Sequence, residues 1–379
     1  MRSTKLFTDF FESEKAGGLL LIACTALSML LANSSFGPNY HHFWQSLFLD
    51  HPLEYWINDG LMTIFFLLIG LELEREIYIG ELSKLNKALL PVIGALGGMI
   101  IPAMLYLSFN YGTNTQSGAG IPMATDIAFA LGILSLLGKR VPAGLKIFLA
   151  ALAVIDDLGA ILVIAVFYTK SIIFTNLLIA LSIFALLLVF NRLKVRNLIP
   201  YLLGGMAMWY FMLHSGVHAT ITGILLAFAI PFGNGDKKSS SYILQNILHF
   251  PVAYIIIPLF ALANTAIVLS GDIGQTLSQN YSIGIALGLI IGKPLGIFLF
   301  SYAAVSFGLC KLPYQTNWKS FIAVGFLGGI GFTMSIFITL LAFDNQVIIN
   351  NAKFMILISS CIAGIIGYFG LKFSLKRIK

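Results

Sequence analysis

Two adjacent carboxylates, Asp156 and Asp157, lie inside an apolar run of spanning length at 143–168. On insertion scales each ionised aspartate at the centre of a bilayer costs about 2.5–3.5 kcal/mol, so such residues usually have a function there. Carboxylate oxygens bind hard cations such as sodium and lithium, and a carboxylate also binds a proton. The pair therefore predicts a membrane site at which a cation and a proton compete.

A lone cation, Lys293, lies in another apolar run and needs a counter-charge within the membrane. Asp156 and Asp157 each offer one, but neighbouring residues on a helix point about 100° apart, because one turn takes about 3.6 residues. We therefore expect one aspartate to bind the cation and the other to pair with Lys293. The alternative is a purely architectural ion pair, which leaves the second aspartate unexplained.

Glycine and proline interrupt two further apolar runs. In the run 121–137, Asp126 follows Pro122, and Gly118 and Gly120 come just before the run. The run 319–343 has four glycines between positions 325 and 331. Proline removes a backbone donor and glycine loosens the helix, so both helices are expected to break. Two broken helices in separate halves are typical of transporters built from inverted repeats. Close helix packing through small residues is the alternative explanation of the glycines.

Broken helices place partial charges at membrane depth, positive at the N-terminus of a half-helix and negative at its C-terminus. We therefore expect Asp126 to balance positive ends and Lys293 to balance negative ends. Thr125 and carbonyl groups freed from the helix could supply further oxygen ligands for the cation. The sequence thus predicts one site built from aspartates and helix breaks.

The composition is that of a membrane protein. Of 379 residues, 58% are hydrophobic and 10% charged, and the mean hydropathy is +0.90, whereas soluble proteins carry about 25% charged residues. We predict an all-α polytopic membrane protein with about twelve transmembrane helices, inverted repeats and interruptions in the fourth and eleventh helices, forming a single domain, 1–379. The predicted spans are 16–32, 57–71, 88–109, 121–137, 143–168, 174–190, 199–213, 216–230, 245–269, 282–305, 319–343 and 352–372.

Lysine and arginine residues alternate in position with these spans. If the N-terminus is cytoplasmic, all but three of the 23 lie in cytoplasmic segments, as the positive-inside rule requires. The exceptions are Lys170 and Lys353, on the outer side, and Lys293, within a span. Both termini are therefore expected in the cytoplasm. The net charge of +7 follows from this topology and needs no nucleic-acid partner.

Polar residues near the membrane surfaces leave alternatives open. Glu72 and Glu74 lie at the inner end of the second span, where they can be solvated. His218 could sense pH, because histidine titrates near neutrality, or could be a hydrogen-bonded packing residue. The aromatic outer loop at 33–56 is either an interfacial belt or an oligomer contact.

Other functions fit the residues less well. An intramembrane aspartyl protease also needs two aspartates but takes them from different helices, so no enzymatic activity is expected. An ion channel would not need the Asp–Lys pair, and a proton-coupled importer of organic solutes remains an alternative. Cys24, Cys310 and Cys361 show neither a disulfide framework nor metal-ligand spacing. No cofactor is expected beyond the transported ions.

Several long stretches match the pattern of a known family in the same order: FFLLIGLELERE (65–76), ATDIAFALG (124–132), LAVIDDLGA (152–160), SGVHAT (215–220), IPLFALAN (257–264) and GIGFTMSIF (329–337). On these stretches the chain resembles, over nearly its whole length, the NhaA-type sodium/proton antiporters. The resemblance implies twelve spans, crossed interruptions in the fourth and eleventh, electrogenic exchange of sodium or lithium for more than one proton in a bacterial inner membrane, and a homodimer through the outer loop near 33–56.

The resemblance also implies roles for the buried polar residues. Asp157 and Asp156 would form the ion and proton site, with Lys293 paired to Asp156. Thr125 and Asp126 would lie where the interrupted helices cross. The resemblance thus chooses between the two aspartates, which the residues alone leave open.

A set of residues outside this site is implied to affect the response to pH. Glu72 would lie at the inner funnel, and His218 and His249 would influence activation. The family pattern has Glu and His just before the ninth span, whereas this chain has Gln245 and Asn246. We therefore expect the transport site to follow the family and the pH response to depart from it.

Overall fold

A computed structural model describes residues 2–169, 172–268 and 273–375. The apolar runs form helices, because in lipid each backbone N–H and C=O needs a partner within its own segment. The α-helices are α1 (Arg2–Ala32), α2 (Gly37–Gln45), α3 (Leu53–Tyr55), α4 (Met62–Tyr78), α5 (Leu85–Asn110), α6 (Ile127–Leu136), α7 (Ala143–Phe167), α8 (Phe174–Arg192), α9 (Ile199–Leu213), α10 (Ile221–Ala229), α11 (Ser240–Pro251), α12 (Ile257–Asn264), α13 (Ile273–Ser278), α14 (Asn280–Leu287), α15 (Lys293–Ser306), α16 (Trp318–Gly328), α17 (Phe332–Ala342) and α18 (Gln346–Ser374).

Shorter elements join or interrupt these helices. The 3₁₀ segments are Glu81–Ser83, Gln116–Met123 and Gly138–Arg140, and the π-helical turns are Trp56–Leu61, Val252–Ile256 and Gly288–Gly292. The strands β1 (Leu47–Phe48) and β2 (His51–Pro52) pair antiparallel. Both residues of their connecting turn, Leu49 and Asp50, have positive φ, which is typical of a tight hairpin. The outer loop is therefore folded.

The predicted class, an all-α polytopic membrane protein, is confirmed. Among the described residues, eight helical segments can cross a membrane by length and composition, and two bent helix pairs raise the number to ten. The sequence predicts about twelve because it counts 199–213 and 216–230 as spans. Helices α9 and α10 have 15 and 9 residues there, fewer than the ~20 of a full span.

Both predicted interruptions are present. In the 116–136 span (Gln116–Leu136), a 3₁₀ segment ends at Met123, the chain is extended through Ala124–Asp126, and α6 begins at Ile127. In the 318–342 span (Trp318–Ala342), α16 and α17 meet at 44° across Gly329–Gly331. None of the glycines at this second break has positive φ. They are therefore needed for close packing rather than for unusual torsion angles.

Two compact units divide the chain. Unit 1 contains Met1–His41, Lys84–Ala160 and Asn264–Lys379, and includes both interrupted spans. Unit 2 contains His42–Ser83 and Ile161–Ala263. Four cations used in the topology prediction lie outside the described residues: Lys170, Lys376, Arg377 and Lys379.

Candidate cation and proton site

The two adjacent aspartates lie in the second half of α7, and both are buried. Asp156 is 0% exposed and Asp157 is 1% exposed. Lys293 is the first residue of α15, is also 0% exposed, and places Nζ 2.6 Å from Asp156 Oδ2. A buried charge without a partner costs several kcal/mol, so this ion pair allows both groups to be buried.

The break of the 116–136 span surrounds this ion pair. Thr125 Oγ1 lies 2.7 Å from Asp156 Oδ2 and 2.8 Å from the carbonyl oxygen of Gly328. Lys293 Nζ also donates to the carbonyl of Met123, the last residue of the 3₁₀ segment. Lys293 therefore lies at the carbonyl end of a half-helix, where a positive charge is favourable.

Thr125 connects the aspartate to the other interrupted span. A threonine hydroxyl has one proton to donate and two lone pairs to accept with. Its oxygen lies within hydrogen-bond distance of two acceptors, Asp156 Oδ2 and the Gly328 carbonyl at the end of α16. The proton can serve one of them at a time, so the other acceptor is then open to a different positive partner.

Asp126 occupies a different place, at the N-termini of two half-helices. Its Oδ1 accepts the Phe129 N–H at 2.9 Å and so caps α6. Its Oδ2 accepts the Thr333 N–H at 3.0 Å and the Thr333 hydroxyl at 2.5 Å, both from the first turn of α17. The carboxylate thus faces two positive helix ends at once, and its own N–H donates to the Ile330 carbonyl at 2.7 Å.

Three further hydroxyl groups hold the crossing, and the sequence reasoning does not single them out. Thr333 binds Asp126, Ser335 Oγ donates to the Ile121 carbonyl at 2.7 Å, and Ser360 Oγ on α18 accepts the Phe332 N–H at 3.1 Å. The available signal is weak: small polar residues inside apolar runs. Such residues are common in membrane helices, where they bond within or between helices.

The residues implied in the pH response lie in unit 2, whereas those around Asp156 lie in unit 1. His218 Nε2 lies 3.1 Å from the Tyr168 carbonyl, so its ring has a hydrogen-bond partner within unit 2. Arg75 donates to Gln245 Oε1 at 3.4 Å, and Gln245 is also hydrogen-bonded to Glu72. The amide that departs from the family pattern therefore joins α4 to α11.

Glu74 is not solvated as the sequence suggests. It is 3% exposed, and the Ser241 hydroxyl donates to its Oε2 at 3.1 Å. Ser241 lies in the first turn of α11, where a negative charge is favourable. The position near the end of α4 predicts exposure, but packing against α11 buries the carboxylate.

A family model described as Na+/H+ antiporter 1 matches residues 8–371. The chain belongs to this family. The matched region contains both interrupted spans, both aspartates of α7 and Lys293.

Bacterial relatives in this family match the chain along its length. The Na+/H+ antiporter NhaA of Flavobacterium psychrophilum is 73% identical over 377 residues, covering 100% of this chain and 98% of the relative. The Na+/H+ antiporter NhaA 1 of Flavobacterium johnsoniae is 62% identical, with 100% of both covered. The NhaA of Cytophaga hutchinsonii is 59% identical, covering 100% of this chain and 97% of the relative. The resemblance noted from the motifs is therefore confirmed at the level of the family.

Proposed function

We propose that this protein is a secondary active antiporter that extrudes sodium or lithium in exchange for external protons, and so serves sodium and pH homeostasis. The observation that carries the proposal is the buried Asp156–Asp157 pair. In a chain of this family, it lies beside two helix breaks that contact each other, and a buried cation, Lys293, lies 2.6 Å from Asp156. Ionisable residues buried in spans mark ion pathways.

Asp157 is the principal cation ligand in this proposal. Asp156 Oδ2 is already engaged by Lys293 and Thr125, whereas Asp156 Oδ1 accepts no hydrogen bond from the described residues. Asp157, the free oxygen of Asp156 and the Thr125 hydroxyl form an oxygen set that suits a hard cation. Lys293 keeps Asp156 paired when the cation is absent. Asp126 supports the site by balancing the positive ends of α6 and α17.

Exchange follows from competition at these carboxylates. A proton on an aspartate removes the charge that holds the cation, so each ion displaces the other. Because the site is enclosed in this structure, with Asp156 0% and Asp157 1% exposed, binding and release need opening to one side at a time. One sodium can displace two protons, the one on Asp157 and the one that the Asp156–Lys293 pair holds, which makes the exchange electrogenic.

We extend the proposal to the surroundings of the site. The protein lies in the bacterial inner membrane with both termini cytoplasmic, as one functional transport domain. The hairpin side chains of Leu47, Phe48 and Leu49 are 74%, 56% and 69% exposed, and they offer a contact for a homodimer through the outer loop at 33–56.

Regulation is proposed for unit 2. Glu72, His218 and His249 influence the response to pH, with Gln245 and Asn246 shifting that response from the family pattern. Gln245 cannot titrate, so its bonds to Arg75 and Glu72 persist at any pH at which those two partners remain charged.

The test is sodium-driven proton movement in proteoliposomes, measured for the wild type, Asp157→Asn and a matched control, Asp236→Asn, at an exposed loop aspartate. We expect Asp157→Asn to abolish exchange, because the amide can neither release a proton nor supply charge to the cation. We also expect the KM for sodium of the wild type to rise as the pH falls, because protons then occupy the shared carboxylates.

Three results would count against the proposal. Full exchange in Asp157→Asn would remove that residue from the site. Sodium flux that leaves the proton gradient unchanged in the wild type would indicate a channel, and proton flux coupled only to an organic solute would indicate an importer.

A further inference from the structure

A π-helical turn, Gly288–Gly292, lies immediately before Lys293 and joins α14 to α15. Its cause is Pro294. Proline has no N–H and its ring collides with the carbonyl four residues back, so the helix must widen locally. The Lys293 N–H accordingly donates to the carbonyl of Gly288, five residues back. The turn therefore fixes how Lys293 enters the site.

The first residue of this turn packs against the 116–136 span. A methyl group added at Gly288 would lie 2.6 Å from Pro122 Cβ and 2.9 Å from Pro122 Cγ. Both residues are buried, and a proline ring cannot rotate out of the way. Pro122 directly precedes Met123, whose carbonyl accepts from Lys293. The contact between Gly288 and Pro122 thus sets the position of the carbonyl that holds Lys293.

The second residue of the turn faces the 318–342 span. The carbonyl of Leu289 would normally accept from the residue four or five positions ahead. The N–H of Lys293 is already bound to Gly288, and Pro294 has none. The Leu289 carbonyl instead lies against Gly329, where an added methyl group would collide with it. One π-turn therefore contacts both helix breaks.

We propose that this turn couples Lys293 to the two interrupted spans, and that Gly288 is a positioning residue for Lys293. The residue acts through Pro122 and Met123 and does not touch the transported ion. A side chain at position 288 would push Met123 away from Lys293 and loosen the pairing of Lys293 with Asp156. This inference rests on the proposed sodium/proton exchange and adds a residue to it.

The direction of the kinetic effect follows from competition. Lys293 and the cation compete for the carboxylate of Asp156, so displacement of Lys293 leaves Asp156 more available to sodium. Sodium then binds more tightly and leaves more slowly. We expect Gly288→Ala to lower the KM for sodium about threefold and the maximal rate about tenfold, since the two parameters report different steps.

The experiment measures exchange in proteoliposomes for the wild type, Gly288→Ala, Pro122→Gly and the double variant. Pro122→Gly removes the two atoms that the new methyl group would approach within 3.0 Å and leaves the Pro102 carbonyl oxygen at 3.4 Å, an ordinary contact. The double variant should therefore recover at least about half of the lost rate. The matched control is Gly60→Ala. Gly60 also lies in a π-turn, Trp56–Leu61, but a methyl group there meets nothing nearer than a Trp56 ring atom at 3.9 Å.

Each outcome decides the proposal. Wild-type kinetics in Gly288→Ala would overturn it. So would a lower maximal rate at unchanged KM that Pro122→Gly does not restore, because that pattern indicates only less folded protein. If Gly288→Ala does not fold, the double variant must fold and exchange; its failure would show that Pro122 is not the neighbour that matters. Absence of exchange in the wild type would instead refute the proposed function itself.

Discussion

The 116–136 span carries its own polar groups at its break, whereas the 318–342 span is glycine-rich there and is held by side chains from elsewhere in unit 1. Asp126 caps the helix that follows it and also accepts two bonds from Thr333 in α17. Ser360 of α18 accepts the Phe332 N–H. Two breaks of the same kind therefore depend on different parts of the chain.

The difference extends to the carbonyl ends. Lys293 donates to Met123 at the end of the 3₁₀ segment, whereas the Gly328 carbonyl at the end of α16 meets the smaller, neutral Thr125 hydroxyl. One carbonyl end thus faces a full charge and the other a hydroxyl. We infer that changes around the 116–136 break cost more stability than changes around the 318–342 break.

The largest effect is expected from Lys293→Ala. This change leaves Asp156 buried without its counter-charge and removes the donor to Met123. Breaking a buried ion pair in this way costs about 3–5 kcal/mol of unfolding free energy. Thermal and denaturant unfolding in detergent measure the loss, with Lys311→Ala at an exposed site of the same unit as control. Adding Asp156→Asn should recover part of the loss, and equal stability of Lys293→Ala and the wild type would refute the pairing.

A smaller effect is expected from Asp126→Asn, which tests both breaks together. The asparagine amide keeps one acceptor oxygen, but its NH2 group replaces the other. That NH2 group would face donors, either the Phe129 N–H or the N–H and hydroxyl of Thr333, and those hydrogen bonds would be lost. It also removes the negative charge at the positive ends of α6 and α17. Hydrogen bonds to charged groups contribute about 1.5–3 kcal/mol, so we expect a loss of about 2–3 kcal/mol in the same unfolding assay. A loss no larger than that of Asp236→Asn would contradict the shared cap.

The sequence is informative about the first break because charge in an apolar run is rare. The free-energy cost of burying a charge in the membrane is enough to single out four residues: Asp126, Asp156, Asp157 and Lys293. Helical geometry also requires that the adjacent aspartates point apart. The order and apolar character of the helices are likewise readable from composition. These features depend on local residue type, which the sequence states directly.

The second break is harder to predict because its partners are distant in the chain and chemically ordinary. Ser360 is one of many small hydroxyl residues, and only the fold brings it to the start of α17. The carbonyls of Met123 and Gly328 carry no side-chain signal. Similarly, Glu74 is buried because α11 packs against α4. The lengths of α9 and α10 are set by the positions of the turns that end them.

Thr333→Val separates the hydroxyl from the backbone contact at the 318–342 break. Valine keeps the shape of threonine and leaves the N–H bond to Asp126 in place, but removes the hydroxyl bond. We expect a loss of about 1–2 kcal/mol, smaller than for Asp126→Asn. Thr333→Ser, which keeps the hydroxyl, is the control and should unfold close to the wild type. A Thr333→Val protein less stable than Asp126→Asn would reverse the inferred order.

The smallest effect is expected from Ser360→Ala, which touches only the 318–342 break. The change leaves the Phe332 N–H without its acceptor, while Asp126 still holds the next N–H, that of Thr333. An unmet buried donor costs about 1–3 kcal/mol, and we expect the lower end because one cap of the turn survives. The Ser360 hydroxyl is on α18 and is bonded at the start of α17, so the KM for sodium should stay at the wild-type value. A changed KM for sodium with an unchanged free energy of unfolding would contradict this. It would mean that both breaks contribute equally to the cation site and differ only in their amino-acid composition.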